Sequence, residues 1–256
     1  MNRTFQRLFC ASVLVALALN ACHRGEKKAP LRIAAASDLT GAFGELAREY
    51  ESTSGRPVNA VFGSSSELAA QIENGAPYDL FAAADAASVD RAVNRGACDG
   101  ATRALYARGR LALWSRDGGI KTIDQLAGIQ VKKIALANPA HAPYGRIAKE
   151  ALERTGIWQQ VSAKIVFAGN VRQALQVAQS GNADAALVAL ALVPRGEPDG
   201  VAIPESLYTP LDQMVVACGD KKDSDALGFL ELLASNRGRD VLKRYRLGFD
   251  EPPGQQ

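Results

Sequence analysis

Histidine is nearly missing from this chain, with only His23 and His141 among 256 residues. A hydrolytic triad would have to recruit His141, and nothing around the serines resembles a nucleophile elbow, so His141 reads as a loop residue. Ligand-spaced clusters of histidine, cysteine and carboxylate are also missing, which removes the usual metal centres. There is no GxxxxGK[ST] loop and no GxGxxG opening a helix, because Gly41 and Gly44 fall inside a predicted helix. Excess charge of one sign is lacking as well. Thirty basic residues face 27 acidic ones, and two of the basic ones, Arg3 and Arg7, lie in a segment expected to be removed. A near-neutral surface offers no basic face for nucleic acid, so any anion site has to be made locally. Long apolar runs are missing too: residues 8–19 and 185–193 are both too short to cross a bilayer comfortably.

What is present begins with an export signal. Residues 1–22 combine a basic start with an apolar run and end in Leu19-Asn20-Ala21-Cys22. That ending resembles the lipobox of bacterial lipoproteins, which implies a periplasmic protein anchored through a lipidated Cys22. Residues 23–30 then form a charged, proline-containing tether. Cys98 and Cys218 remain in the exported part. An oxidising compartment permits them to pair, but two cysteines without CxxC spacing leave their geometry open.

Along the chain, short apolar runs alternate with helical patterns. Strands are predicted at residues 31–36, 58–62, 78–83, 133–137, 164–168 and 211–218, and residues 105–114 read as one longer extended segment leading into a second lobe. Residues 185–193 read as a fully buried strand and its extension. Helices are predicted from about Leu39 to Gly55, after the serines at Leu68 and Ile72, over 87–94, after the proline loop to Gly156, from Val171, and once or twice within 224–245. This order predicts an α/β fold of mainly parallel strands with crossover helices.

Four of these strands lead to polar residues directly before a helix. The richest case is FGSSSELAAQI (62–72), where Ser64, Ser65 and Ser66 precede Leu68 and Ile72 at helical spacing. Serines there can cap the unpartnered first N–H groups of the helix, or can join those groups in pointing at an anion. Hydrogen bonds to a charged acceptor are worth roughly 1.5–3 kcal/mol each, so several neutral donors can replace the lost hydration of a dianion. Rigid donors also select by ligand radius.

The stretches AAASDLTGAF (34–43), FGSSSELAAQIENGAPYDLFAAAD (62–85), NPAHAPYGRIAKEAL (138–152) and GNVRQALQVAQSGNADAALVAL (169–190) resemble the periplasmic molybdate-binding proteins of ABC transporters. The similarity runs in order from about Leu31 to Phe249. It implies a two-lobed type II periplasmic binding protein, each lobe a mixed sheet flanked by helices, with the ligand in the inter-lobe cleft. The implied lobes are 31–105 with 215–250, and 106–214, followed by a loose tail at 251–256. Carried over by position, Ser37 and Ser65 bind the oxyanion from the first lobe, and Tyr144 and the Val171 N–H bind it from the second. The metal atom itself receives no protein ligand. Other members carry a tyrosine where Ala189 aligns here, and Tyr144 is its natural replacement. Asp38 is a further departure, expected to point outward because a carboxylate would repel the ligand. Ser64 and Ser66 are expected to be caps or local supports. The resemblance implies a monomer that captures molybdate and tungstate without a cofactor and delivers them to a membrane permease. The competing readings are a receptor for sulfate or phosphate, an enzyme on the same scaffold, and the sensor lobe of a regulator.

Overall fold

A computed structural model describes residues 29–196, 199–219 and 224–249. The expected signal segment at 1–22, most of the expected tether at 23–30 and the expected tail at 251–256 lie outside the described residues. The strands are β1 (Leu31–Ala36), β2 (Val58–Gly63), β3 (Leu80–Ala83), β4 (Ala104–Gly109), β5 (Leu111–Ser115), β6 (Ile134–Ala137), β7 (Ile165–Ala168), β8 (Ala185–Ala189), β9 (Val201–Ala202) and β10 (Leu211–Ala217). The helices are α1 (Thr40–Ser54), α2 (Ser65–Glu73), α3 (Ala86–Asn94), α4 (Pro143–Arg154), α5 (Trp158–Val161), α6 (Val171–Gln179), α7 (Ser224–Ala234) and α8 (Asn236–Arg244). Two five-stranded sheets result, in the orders β2-β1-β3-β10-β4 and β7-β6-β8-β5-β9. In each, three neighbouring strands are parallel and joined by helices, while the remaining pairs are antiparallel. This is the two-lobed arrangement expected of a type II binding protein.

The central strands read as unbroken apolar runs because both of their faces are covered: β3, β5, β6 and β8 are buried at every residue. The helices meet them through stripes of period 3.6. In α1 the stripe is Ala42, Phe43, Leu46 and Tyr50, and the helix ends where Gly55 adopts φ 68° and returns its N–H to the Glu51 carbonyl. Phe43 packs against Tyr106 and Phe229, with ring centroids 6.0 and 5.8 Å apart, which ties α1 to β4 and α7. Cys98 and Cys218 do pair, forming a disulfide beside a β-bridge between the same two residues. The bond joins the approach to β4 with the end of β10. Among the described residues no helix is long and apolar enough to cross a membrane.

The structure divides residues 105–114, which the sequence reads as one segment. β4 ends at Gly109 in the first sheet, and β5 begins at Leu111 in the second. Glycine is required at this break because a Cβ on Gly109 would lie 2.4 Å from the Tyr144 hydroxyl. The first sheet extends to residue 109, past the anticipated 105, and resumes at 211, ahead of the anticipated 215. Residues 185–193 also divide, since β8 stops at Ala189 and a 3-10 turn, Leu190–Leu192, follows.

Candidate functional site

Because β1, β2 and β3 are parallel, their C-terminal ends open on one edge of the first sheet. Ser37 follows β1, Ser64 and Ser65 follow β2, and Asp85 stands just after β3. Likewise β6, β7 and β8 deliver the 138–143 loop, Gly169-Asn170 and Leu190 to one edge of the second sheet. Carboxyl ends of parallel strands are where ligands of open α/β sheets collect. Here the two edges meet. The Ser64 hydroxyl donates to the His141 carbonyl, Arg146 of α4 pairs with Asp85, and the Tyr144 hydroxyl donates to Asp38 at 2.9 Å. The Ser37–Leu39 turn packs on α6.

At this meeting the expected donors fall into two groups. Ser37 is 4% exposed; its carbonyl accepts from the Thr40 hydroxyl, and among the described residues its own hydroxyl has no hydrogen-bond partner. Ser65, 1% exposed at the first position of α2, accepts the Ala84 N–H at 2.9 Å. A hydroxyl that accepts in this way retains its own proton for another acceptor. Ser64 occupies the N-cap of α2 without making the side-chain cap bond, its hydroxyl going to His141 instead. The first N–H groups of α2 are thus left without a capping side chain. At α6 the Asn170 side chain takes the Gln173 N–H and the Asn170 carbonyl takes that of Ala174, so the N–H groups of Val171 and Arg172 remain over. Val171 itself is 3% exposed. Ser37, Ser65 and the start of α6 are therefore buried donors with capacity to spare.

Tyr144 differs. It is buried, and its hydroxyl donates to Asp38 Oδ2 while accepting from Gln213 Nε2 at 3.3 Å. Its single proton is already committed. Burial, and then the Asp38 charge, raise its pKa well above the ordinary tyrosine value. The tight placement of α4 that brings Tyr144 here depends on Gly145, where a Cβ would lie 2.2 Å from the Ala137 carbonyl oxygen. Ala189 is fully buried at the end of β8.

Asp38 contradicts the outward orientation expected of it. It is 2% exposed, and besides Tyr144 its Oδ2 accepts from Gln213 Nε2. Gln213 is fully buried in β10 and its Oε1 accepts the Tyr106 hydroxyl at 2.9 Å. Asp38 Oδ1 is buried without any partner. Burial raises the Asp38 pKa from 3.8 to about 6, against the lowering effect of its bonds to Gln213, Tyr144 and its own backbone. The inward orientation follows from the short 3-10 turn Ser37–Leu39, all three residues of which are buried between the lobes. A helix starting directly at residue 39 would have hidden this turn.

Sequence reasoning also missed Gln213, the Arg146–Asp85 pair and the seat of Ser64. Gln213 left one signal: it is an amide in the middle of the apolar strand LDQMVVA. The other two join residues far apart in sequence and left none. Among the described residues no group of three histidine, cysteine or carboxylate side chains is arranged to hold a metal ion.

Comparison with known proteins agrees with this fold. Residues 31–249 match the family model of bacterial extracellular solute-binding proteins. The chain is 30% identical over 244 residues to the molybdate-binding protein ModA of Azotobacter vinelandii, covering 92% of this chain and 96% of that one. It is 31% identical over 255 residues to ModA of Escherichia coli K12, covering 96% and 98%. The solved Azotobacter vinelandii periplasmic molybdate-binding protein superposes with a TM-score of 0.82, at 30% identity, over 86% of this chain and all of that one. A doubly lobed α/β frame, together with these likenesses over nearly its whole length, makes this chain a member of the bacterial extracellular solute-binding proteins, within the ModA family.

Proposed function

We propose that this protein captures molybdate, and tungstate of nearly equal size, outside the cytoplasm and hands the anion to the membrane permease of an ABC transporter. The observation that carries the reading is the set of uncommitted neutral donors at the facing edges of the two sheets. Ser37 and Ser65 offer hydroxyl protons, and the starts of α2 and α6 offer backbone N–H groups at the positive ends of their helix dipoles. In this reading Ser37, Ser65 and the Val171 N–H hold oxygens of the anion, and no side chain bonds the metal atom. Tyr144 joins them when its hydroxyl turns from Asp38 to the ligand. Donors held on two rigid sheets converge only when the lobes are closed, so the ligand stabilises the closed form that the permease would recognise. The name of the relatives supports molybdate over sulfate and phosphate, and their role as binding proteins supports transport over catalysis. Export, and anchoring through a lipidated Cys22, belong to the same reading, as does action as a monomer without a cofactor.

Calorimetric titration with molybdate, tungstate, sulfate and phosphate tests it. The two large anions should bind and the two small ones should bind far more weakly. Sulfate or phosphate binding as tightly as molybdate would reject the assignment.

A further inference from the structure

Asp38 is a carboxyl group beside Ser37, at the meeting of the two lobes, with one oxygen satisfied twice and the other not at all. A buried oxygen without a partner is rare and costly unless something else completes it. The neighbours do not. Tyr144 of α4 and Gln213 of β10 both serve Oδ2, and Tyr106 of β4 reaches the group only through Gln213. Burial, opposed by its hydrogen bonds, sets the state of Asp38. The charged residues of the surrounding elements are engaged or exposed elsewhere: Arg146 of α4 with Asp85, Asp212 of β10 with Arg108 of β4, Glu45 of α1 with Arg244, and Arg172 of α6 at the surface. β2 and the Leu190–Leu192 turn carry no titratable side chain. Ionised, Asp38 would repel a dianion held by Ser37. As a neutral acid it has one O–H to give, and an anion oxygen is the acceptor it lacks.

We propose that Asp38 is a ligand-contacting residue: in the oxyanion complex its carboxyl is neutral, holding at Oδ1 a proton that it donates in a hydrogen bond to a ligand oxygen and that comes from solvent wherever the free carboxyl is ionised. This rests on the cleft being the oxyanion site. It makes affinity depend on pH, falling as Asp38 loses its proton. For a group that titrates near pH 6 and binds only when neutral, affinity falls about 50-fold between pH about 6 and about 8. Neither tyrosine competes for this role, since burial keeps both Tyr106 and Tyr144 well above their ordinary range.

The test is calorimetric titration of the intact protein with molybdate from pH about 5.5 to about 8, in buffers that differ in ionisation enthalpy. The proposal expects uptake of close to one proton per anion at the alkaline end and much less at the acid end, together with the fall in affinity. Asp38→Asn should remove the uptake and flatten the profile, whereas His141→Gln should keep both. Tight molybdate binding with no proton uptake and no pH dependence overturns the proposal and leaves the site reading standing. Uptake that persists in folded Asp38→Asn protein overturns it as well. Failure to bind molybdate at any pH overturns both. Should Asp38→Asn not fold, the proton count of the natural protein decides the matter alone.

Discussion

Ser65→Ala separates the two tasks assigned to one hydroxyl. Its Oγ accepts the Ala84 N–H in a fully buried setting, so alanine leaves that donor without a partner. An orphaned buried N–H costs about 1–3 kcal/mol, and for a domain pair of this size that lowers the melting temperature by about 2–12 °C. The proton that the same hydroxyl retains is the one assigned to the ligand. Losing a hydrogen bond to a charged acceptor costs about 1.5–3 kcal/mol, which weakens molybdate binding about 10- to 150-fold. Thermal unfolding without ligand reads the first effect, and calorimetric titration reads the second. Ser66→Ala is the control, being half-buried one residue further along α2, and should change stability by less than about 0.5 kcal/mol. Lower stability with unchanged affinity would confine Ser65 to a structural role and remove it from the site. Unchanged stability would refute the Ala84 bond.

Three further outcomes follow from the geometry. Replacing Cys98 and Cys218 by alanine opens a covalent loop with a sequence separation of 120. Chain entropy then predicts a loss of about 5 kcal/mol, measured by urea unfolding, and a loss below about 1 kcal/mol would count against it. Because the folded pKa of Asp38 is raised, its contribution to the stability of the ligand-free protein is full below about pH 3.8 and is lost as pH rises through about 6. That amounts to an order of 3 kcal/mol, so Asp38→Asn should gain stability relative to the natural protein between pH about 4.5 and 7.5. A constant difference between the two over this range would contradict it. Arg146→Ala removes the ion pair that α4 makes with Asp85 across the lobes, with Arg146 partly exposed. It should speed molybdate release by less than about tenfold in stopped-flow displacement and leave the fold intact, whereas a larger loss would make the pair a principal clamp.

The layout of the lobes was legible because it rests on local signals. The apolar runs at β1, β3, β6 and β8 and the stripes of α1, α4 and α6 are visible in any short window of the chain. What stayed hidden depends on contacts between distant residues. At Gly109, where residues 105–114 divide, the space for a side chain is taken by the hydroxyl of Tyr144, 35 positions later, and the network of Asp38, Tyr144, Gln213 and Tyr106 spans both lobes. The same limit applies to Ser64. Its place before α2 marks it as an N-cap by pattern, yet its hydroxyl crosses to His141, 77 positions away. A helix-start rule sees only the near partner.

Neutral donors from both lobes are proposed to enclose the anion. A crystal structure of the molybdate-loaded protein, with anomalous scattering from molybdenum, tests this most directly. One peak is expected between the two sheet edges, with oxygens in hydrogen-bond reach of Ser37 Oγ, Ser65 Oγ and the Val171 N–H. A peak outside the two sheet edges, or a lysine or arginine side chain bound to the anion inside the cleft, would contradict it.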